Sequence, residues 1–299
     1  MVTSATPEAR EPFGWSLDSG WCVGPWRRPI NNSSDEAGTI HSDETARQLG
    51  FAAGPVAGSI HFEQFEPLLR AVWGAAWARS GSLSLWFDTP AFDGDVLQAA
   101  VEEVALPRRS VRLLRADGSL IAHGSASMGP DDAGEVRQRL ASVRPSEPVR
   151  MLAAVQTGFA VHGLPTRTPA AAVVQRLALL TEPLPEHQAQ AERAAELPLS
   201  TAIHAMRVHE SHLPLNGPLG VGLFGAIEWQ WLNGPMFAEH DYAVAMCVLA
   251  TGTSPRSEML WTETTLSDPA TGQNVARMLM LSRLLKESSP LWKTGENKT

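Results

Sequence analysis

The sequence predicts an α+β protein of two related halves, each rich in antiparallel strands, with one long helix in the first half. Three observations carry that reading. Residues 85–104, LWFDTPAFDGDVLQAAVEEV, run parallel to residues 230–249, QWLNGPMFAEHDYAVAMCVL: Trp86 matches Trp231, Pro90 matches Pro235, Phe92 matches Phe237, and Asp95 falls beside Asp241 with a one-residue slip. Downstream of each copy lies a strand–turn–strand pattern, with ADGS at 116–119 and DPATGQ at 268–273 supplying the hairpin turns. The third observation is the segment GPVAGSIHFEQFEPLLRAVWG, in which Val56, Ile60, Phe65, Leu68, Leu69 and Val72 make an apolar face thick enough to need a sheet around it.

The first half reads as a strand over 20–31, a helix over 43–49, a helix over about 55–73 and three or four strands over 82–128. Ser42 is an N-cap candidate, Asp43 and Glu44 suit the positive end of a first turn, and Gly50 suits a helix stop. Pro67 is expected to break or kink the longer helix near Glu66, because it lacks an N–H and crowds the preceding turn. Residues 131–200 are charged, Ala-rich and interrupted by proline, and read as a linker with surface helices. The expected units are therefore 1–130 with the central helix, 131–200 as the connection, and 201–299 as the second sheet unit.

Composition narrows the function classes. The chain has 299 residues, 43% of them hydrophobic, enough for a substantial core. A formal charge of −8 argues against nucleic acid as a partner, since phosphate recognition needs clustered Lys and Arg. Cys22 and Cys247 stand far apart without CxxC spacing, which points away from a disulfide framework or a thiolate zinc site. The opening MVTSATPEAREPFGW has no basic segment followed by an apolar run, and no stretch approaches the length of a membrane span. A soluble, cytoplasmic protein with no membrane partner and no cofactor is the expectation. Ten tryptophans against one tyrosine either fill cores or line a pocket for an apolar substrate.

The order of a strand, a histidine loop, IHSDETARQLGF, a glycine-rich turn, a helix and SLWFDTPAFDGD resembles the hot-dog fold, and within it the MaoC-like hydratase/dehydratase family. The resemblance covers residues 20–128, and the internal repeat extends it to a double hot-dog of curved antiparallel sheets, with a homodimer as the expected assembly. It implies an enoyl-thioester hydratase or 3-hydroxyacyl-thioester dehydratase acting on an acyl group carried by coenzyme A or a carrier protein. In that family an Asp–x–Asn–Pro–x–His motif supplies the acid and base, and a backbone N–H at the start of the central helix polarises the thioester carbonyl. His41 matches the histidine; Glu36 has the spacing and Asp35 the residue type of the acid. Gly38 and Thr39 replace Asn–Pro, and VAGSIH replaces the family's Ala–His–Gly turn, so the active-site motif is degraded.

The candidate catalytic residues are thus His41, Glu36, Asp35 and His61, with Val56, Ala57, Gly58, Ser59, Glu63, Gln64 and Trp86 as substrate-binding candidates. His61 and Gln64, three apart, could share a helix face toward the cleft, whereas Glu63 points elsewhere. A carboxylate in this helix serves related thioesterases, so Glu63 would carry a thioesterase alternative. A tryptophan-rich pocket would instead suit a tailoring enzyme that guides a cyclisation or Michael addition, mainly by positioning. A non-catalytic acyl-binding protein is the remaining alternative. His209 and His212 at i, i+3 lack a third metal ligand, and the segment around them reads as a polar surface helix. GPLGVGLFG at 217–225 reads as a turn beneath the second sheet, and Arg256, Arg277 and Arg283 could hold an anionic handle.

Overall fold

A computed structural model describes residues 14–129, 131–143, 148–215 and 220–293. The first half runs β1 (Ser16–Asp18), β2 (Trp21–Val23), α1 (Asp43–Gln48), α2 (Gly58–Trp73), α3 (Trp77–Ser80), β3 (Gly81–Phe87), β4 (Leu97–Glu102), β5 (Arg108–Arg115) and β6 (Leu120–Met128). After α4 (Glu135–Ala141) the second half runs β7 (Ala160–Thr166), α5 (Ala170–Leu177), α6 (Leu199–Ala205), β8 (Gly222–Trp231), β9 (Tyr242–Thr253), β10 (Ser257–Ser267), β11 (Asn274–Leu285) and α7 (Pro290–Lys293). No helix among the described residues is long and apolar enough to cross a membrane.

All eleven strands form one antiparallel sheet in the order β1-β2-β4-β5-β6-β3-β8-β11-β10-β9-β7. The repeated pieces fall on β3–β4 and β8–β9, and the Asp/Gly turns close the β5–β6 and β10–β11 hairpins. The two half-sheets meet where β3 pairs with β8, from Ser82 opposite Gln230 to Trp86 opposite Ala226. Leu83, Leu85, Ile227, Trp229 and Trp231 of these strands are buried in the main core with Phe62, Phe65 and Leu69 of α2.

Four expectations change. The strand over 20–31 shrinks to Trp21–Val23, because past Gly24 only Arg27 returns to β4. Pro67 does not break α2, which runs through it to Trp73 while packed against β4 and α6. Tertiary burial on both sides outweighs the one backbone bond that proline removes.

The third change concerns 131–200. Its described residues hold a sheet strand, β7, paired with β9, and they carry charges into the interior. Every residue of α2 from Ile60 to Leu69 is buried, including Glu63 and Glu66. Arg176 of α5 donates to Glu63 through Nη2 and through Nε, the latter at 2.8 Å, and Ser200 of α6 donates to the same carboxylate. Arg70 donates to Glu66 at 2.7 Å and to Glu196 at 2.8 Å. Part of what composition presents as solvated charge, Arg176 and Glu196, is counter-charge for groups of the buried helix. Likewise, residues 222–225 of the glycine-rich segment belong to β8 rather than to a turn, while 217–219 lie outside the described residues.

The β3–β6 ladder gives a stability test. A Cβ added at Gly124 in β6 would lie 1.8 Å from the Ser84 carbonyl oxygen. Gly124→Ala is expected to destabilise the fold by about 1–3 kcal/mol, as overpacking does. A chemical-denaturation midpoint equal to wild type would refute this close approach.

Candidate active site

His41 is held by its backbone and its ring. Asn31, 4% exposed, donates through Nδ2 to the His41 carbonyl at 2.8 Å and to the Gly54 carbonyl at 3.2 Å. A Cβ at Gly54 would fall 1.9 Å from the His41 oxygen, so the two loops approach as closely as glycine allows. Asp43 accepts the Gly54 N–H at 2.9 Å, a bond that holds its carboxyl below the usual range and gives it a role beyond the first turn of α1. The His41 ring then meets the Pro55 carbonyl at 2.8 Å through Nδ1. A carbonyl only accepts, so Nδ1 carries the proton and Nε2 keeps the lone pair.

His41 lines a cavity of about 1300 Å³. The same wall contains Val56, Ala57, Gly58 and Ser59, where α2 begins. No side chain caps this end, so its first backbone N–H groups face outward with the positive end of the helix dipole. A Cβ at Gly58 would sit 2.7 Å from the Phe87 ring, so glycine here lets Phe87 lie against the helix start.

Other residues of the lining come from the second half. Arg176, Ser200, Thr201 and His204 border the cavity from α5 and α6. Arg176 is 8% exposed and its Nη1 has no partner among the described residues. The cavity walls and Arg207 push the His204 pKa below the ordinary imidazole value, while Glu210 and Glu36 oppose them. Glu36 borders the cavity and acts on His204; among the described residues it makes no hydrogen bond to His41. Sequence reasoning missed Arg176 entirely and gave His204 only a surface role. Neither has a local signal, since each is brought to the site by burial more than 130 positions away from His41.

Other candidates divide. Asp35 is exposed and outside the cavity lining. His61 lines the cavity, whereas Gln64 is buried outside it, so the two do not share the cleft face. Glu63 also lies outside the lining, its carboxylate taken up by Arg176 and Ser200, which leaves no free carboxylate for thioester attack. Trp86 borders the cavity, but its ring packs against the Arg139 and Arg283 guanidiniums at 4.1 and 5.4 Å. It is the one tryptophan of the ten in the lining; Trp77, Trp229, Trp231 and Trp261 are core residues. The tryptophan-lined pocket that a cyclase would use is therefore not formed. Arg277 is engaged by Gln230 and Asp132, while Arg256 is exposed at the cavity rim. The segment around His209 is a 3-10 turn, Val208–His212, in which Ser211 and His212 are exposed as a surface element predicts, while His209 itself is 0% exposed.

No protein-family model matches the sequence, and a search of curated proteins gives no match. Solved structures do match. A conserved hypothetical protein from Mycobacterium tuberculosis with a double hot-dog fold superposes with a TM-score of 0.56 at 12% identity, covering 92% of this chain and 96% of that one. A MaoC-like dehydratase gives 0.52 at 12% identity over 87% of this chain and 95% of that one. A MaoC domain protein from Chloroflexus aurantiacus gives 0.50 at 13% identity over 87% and 93%. At these identities the likeness defines the architecture: the chain has the double hot-dog fold.

His61 supplies the pH test. Burial pushes its pKa down to about 4, and its Nδ1 has no partner among the described residues. A histidine depressed in the folded state binds its proton more readily when unfolded. Its contribution to stability is complete above about pH 6.5 and is lost as pH falls through 4. His61→Gln is expected to flatten the stability-against-pH curve between these values. Equal slopes for variant and wild type in denaturant titrations would show that His61 is not buried neutral.

Proposed function

We propose that the protein is an enoyl-thioester hydratase, or in reverse a 3-hydroxyacyl-thioester dehydratase, with His41 as its proton-transfer group. The observation that carries this reading is the pairing, on one cavity wall, of a histidine whose Nε2 is left as the base with the uncapped start of α2. In hydration, Nε2 takes a proton from water as the oxygen bonds to Cβ of the enoyl group. The displaced electron pair moves through Cα to the thioester oxygen, which the N–H groups at Gly58 and Ser59 stabilise. Cα then receives a proton as the thioester carbonyl re-forms, with Glu36 at the rim as the second acid–base group. Asp35 falls out of this scheme because it is away from the lining.

The substrate is an acyl thioester, carried by coenzyme A or a carrier protein, with Arg256 at the rim suited to an anionic carrier. The same reading makes the protein a cytoplasmic homodimer.

Mass spectrometry of a panel of enoyl-CoA thioesters is expected to detect gain of water. His41→Ala should lower that rate by about 10²–10⁴-fold, the usual worth of a positioned acid–base group. Thioester cleavage without hydration would favour the thioesterase alternative. Binding with neither reaction would favour an acyl-binding protein.

A further inference from the structure

At the rim of the cavity three cations gather with no acid to pair with. Lys286, just past β11, donates its backbone N–H to the Arg256 carbonyl at 3.0 Å and its Nζ to the Ser254 carbonyl at 2.7 Å. Those bonds tie it to the turn between β9 and β10, and both Ser254 and Arg256 line the cavity. The Lys286 ammonium also lies 4.0 Å from the centre of the Trp292 ring in α7, and the Arg150 guanidinium lies 4.2 Å from the same ring. Arg150 donates to the Leu291 carbonyl at 3.1 Å, which fixes it against α7.

Among the described residues, Arg150, Arg256 and Lys286 make no ion pair, and Arg150 and Arg256 are exposed. Glu258 turns its charge inward. It is 0% exposed, and its carboxylate accepts the N–H groups of Arg150, Met151 and Leu152 and of the Trp292 indole. Arg283, three positions before Lys286, lines the cavity and also lacks an acidic partner among the described residues. Burial and the neighbouring Arg139 push its pKa below the ordinary guanidinium value. Like charges held this close repel one another, and an anion laid across them relieves that repulsion.

We propose that Arg150, Arg256 and Lys286 dock the acidic face of a carrier protein, so that the acyl group reaches His41 as a carrier-protein thioester in preference to a coenzyme A thioester. This rests on the acyl-thioester reading above. The three charges come from separate stretches of chain, an arrangement that suits a broad anionic face. Trp292 already has two cations against its ring, as Trp86 has Arg139 and Arg283, so both rings are occupied where an adenine would stack. The whole chain carries a formal charge of −8, which repels an acidic partner elsewhere and leaves this cluster to steer it.

The test is calorimetric binding of one acyl group on two carriers: crotonyl-CoA, and an acidic type II acyl carrier protein bearing a crotonyl group. The carrier-protein thioester is expected to bind about tenfold more tightly, and to lose affinity as salt is raised. The double variant Arg150→Gln/Lys286→Gln should weaken carrier-protein binding by about tenfold while leaving crotonyl-CoA within about twofold. Equal wild-type affinities for the two carriers overturn the docking surface. So does a double variant that weakens both carriers alike, or neither. Water addition is read separately by mass spectrometry. Carrier-protein preference without hydration sinks the hydratase reading alone, and hydration without that preference sinks the docking surface alone. Failure of both thioesters to bind overturns both.

Discussion

Glu63 and Glu66 sit on a helix that the protein surrounds, and a carboxylate in that position must find a cation or lose its charge. Burial raises the pKa of Glu66, but Arg70 and His187 outweigh it and hold the group down at about 2. Glu63 is met by Arg176 and Ser200, two residues that arrive from the second half on α5 and α6. Pairing Glu63 therefore ties α5 and α6 to α2. Residues of those helices also line the cavity, so charge pairing inside the core contributes to its shape.

The joint between β3 and β8 makes the two halves one surface. Its inner positions are apolar, while Glu228 on the other face is 1% exposed. That carboxylate accepts from Ser84 Oγ at 3.0 Å, from Gln230 Nε2 at 3.1 Å and from the Arg137 N–H at 3.3 Å, near the start of α4. A Cβ at Gly134 would fall 2.0 Å from Glu228 Oε2, so glycine admits the carboxylate to that helix end. A buried anion at a helix N-terminus thus ties α4 across the joint. The continuous sheet is what lets one cavity draw residues from both halves.

Although the halves are related in strand order, they divide their tasks. The first keeps a long helix and presents its N-terminus beside His41, a polar corner suited to a reacting carbonyl. The second has a shorter helix, and residues of β10 and β11 line the cavity there.

Much of the architecture was legible in the residues. The repeated tryptophan–proline–phenylalanine spacing, the Asp/Gly turns and the apolar stripe of α2 are local patterns, and local sterics and periodicity decide them. His41, Glu36 and the Val56–Ser59 turn could be named for the same reason: they lie close together along the chain. Arg176 and His204 could not, because a charged or imidazole side chain in an Ala-rich helix looks the same whether water or a carboxylate waits opposite it. By itself the sequence determined the strands of the repeat with their hairpin turns, the apolar stripe of α2 and the histidine loop. Only the tertiary structure decided that part of the middle segment reaches the interior, that Trp77, Trp229, Trp231 and Trp261 are core residues rather than pocket lining, and that Glu63 is spoken for, since burial and charge pairing depend on partners distant in the chain.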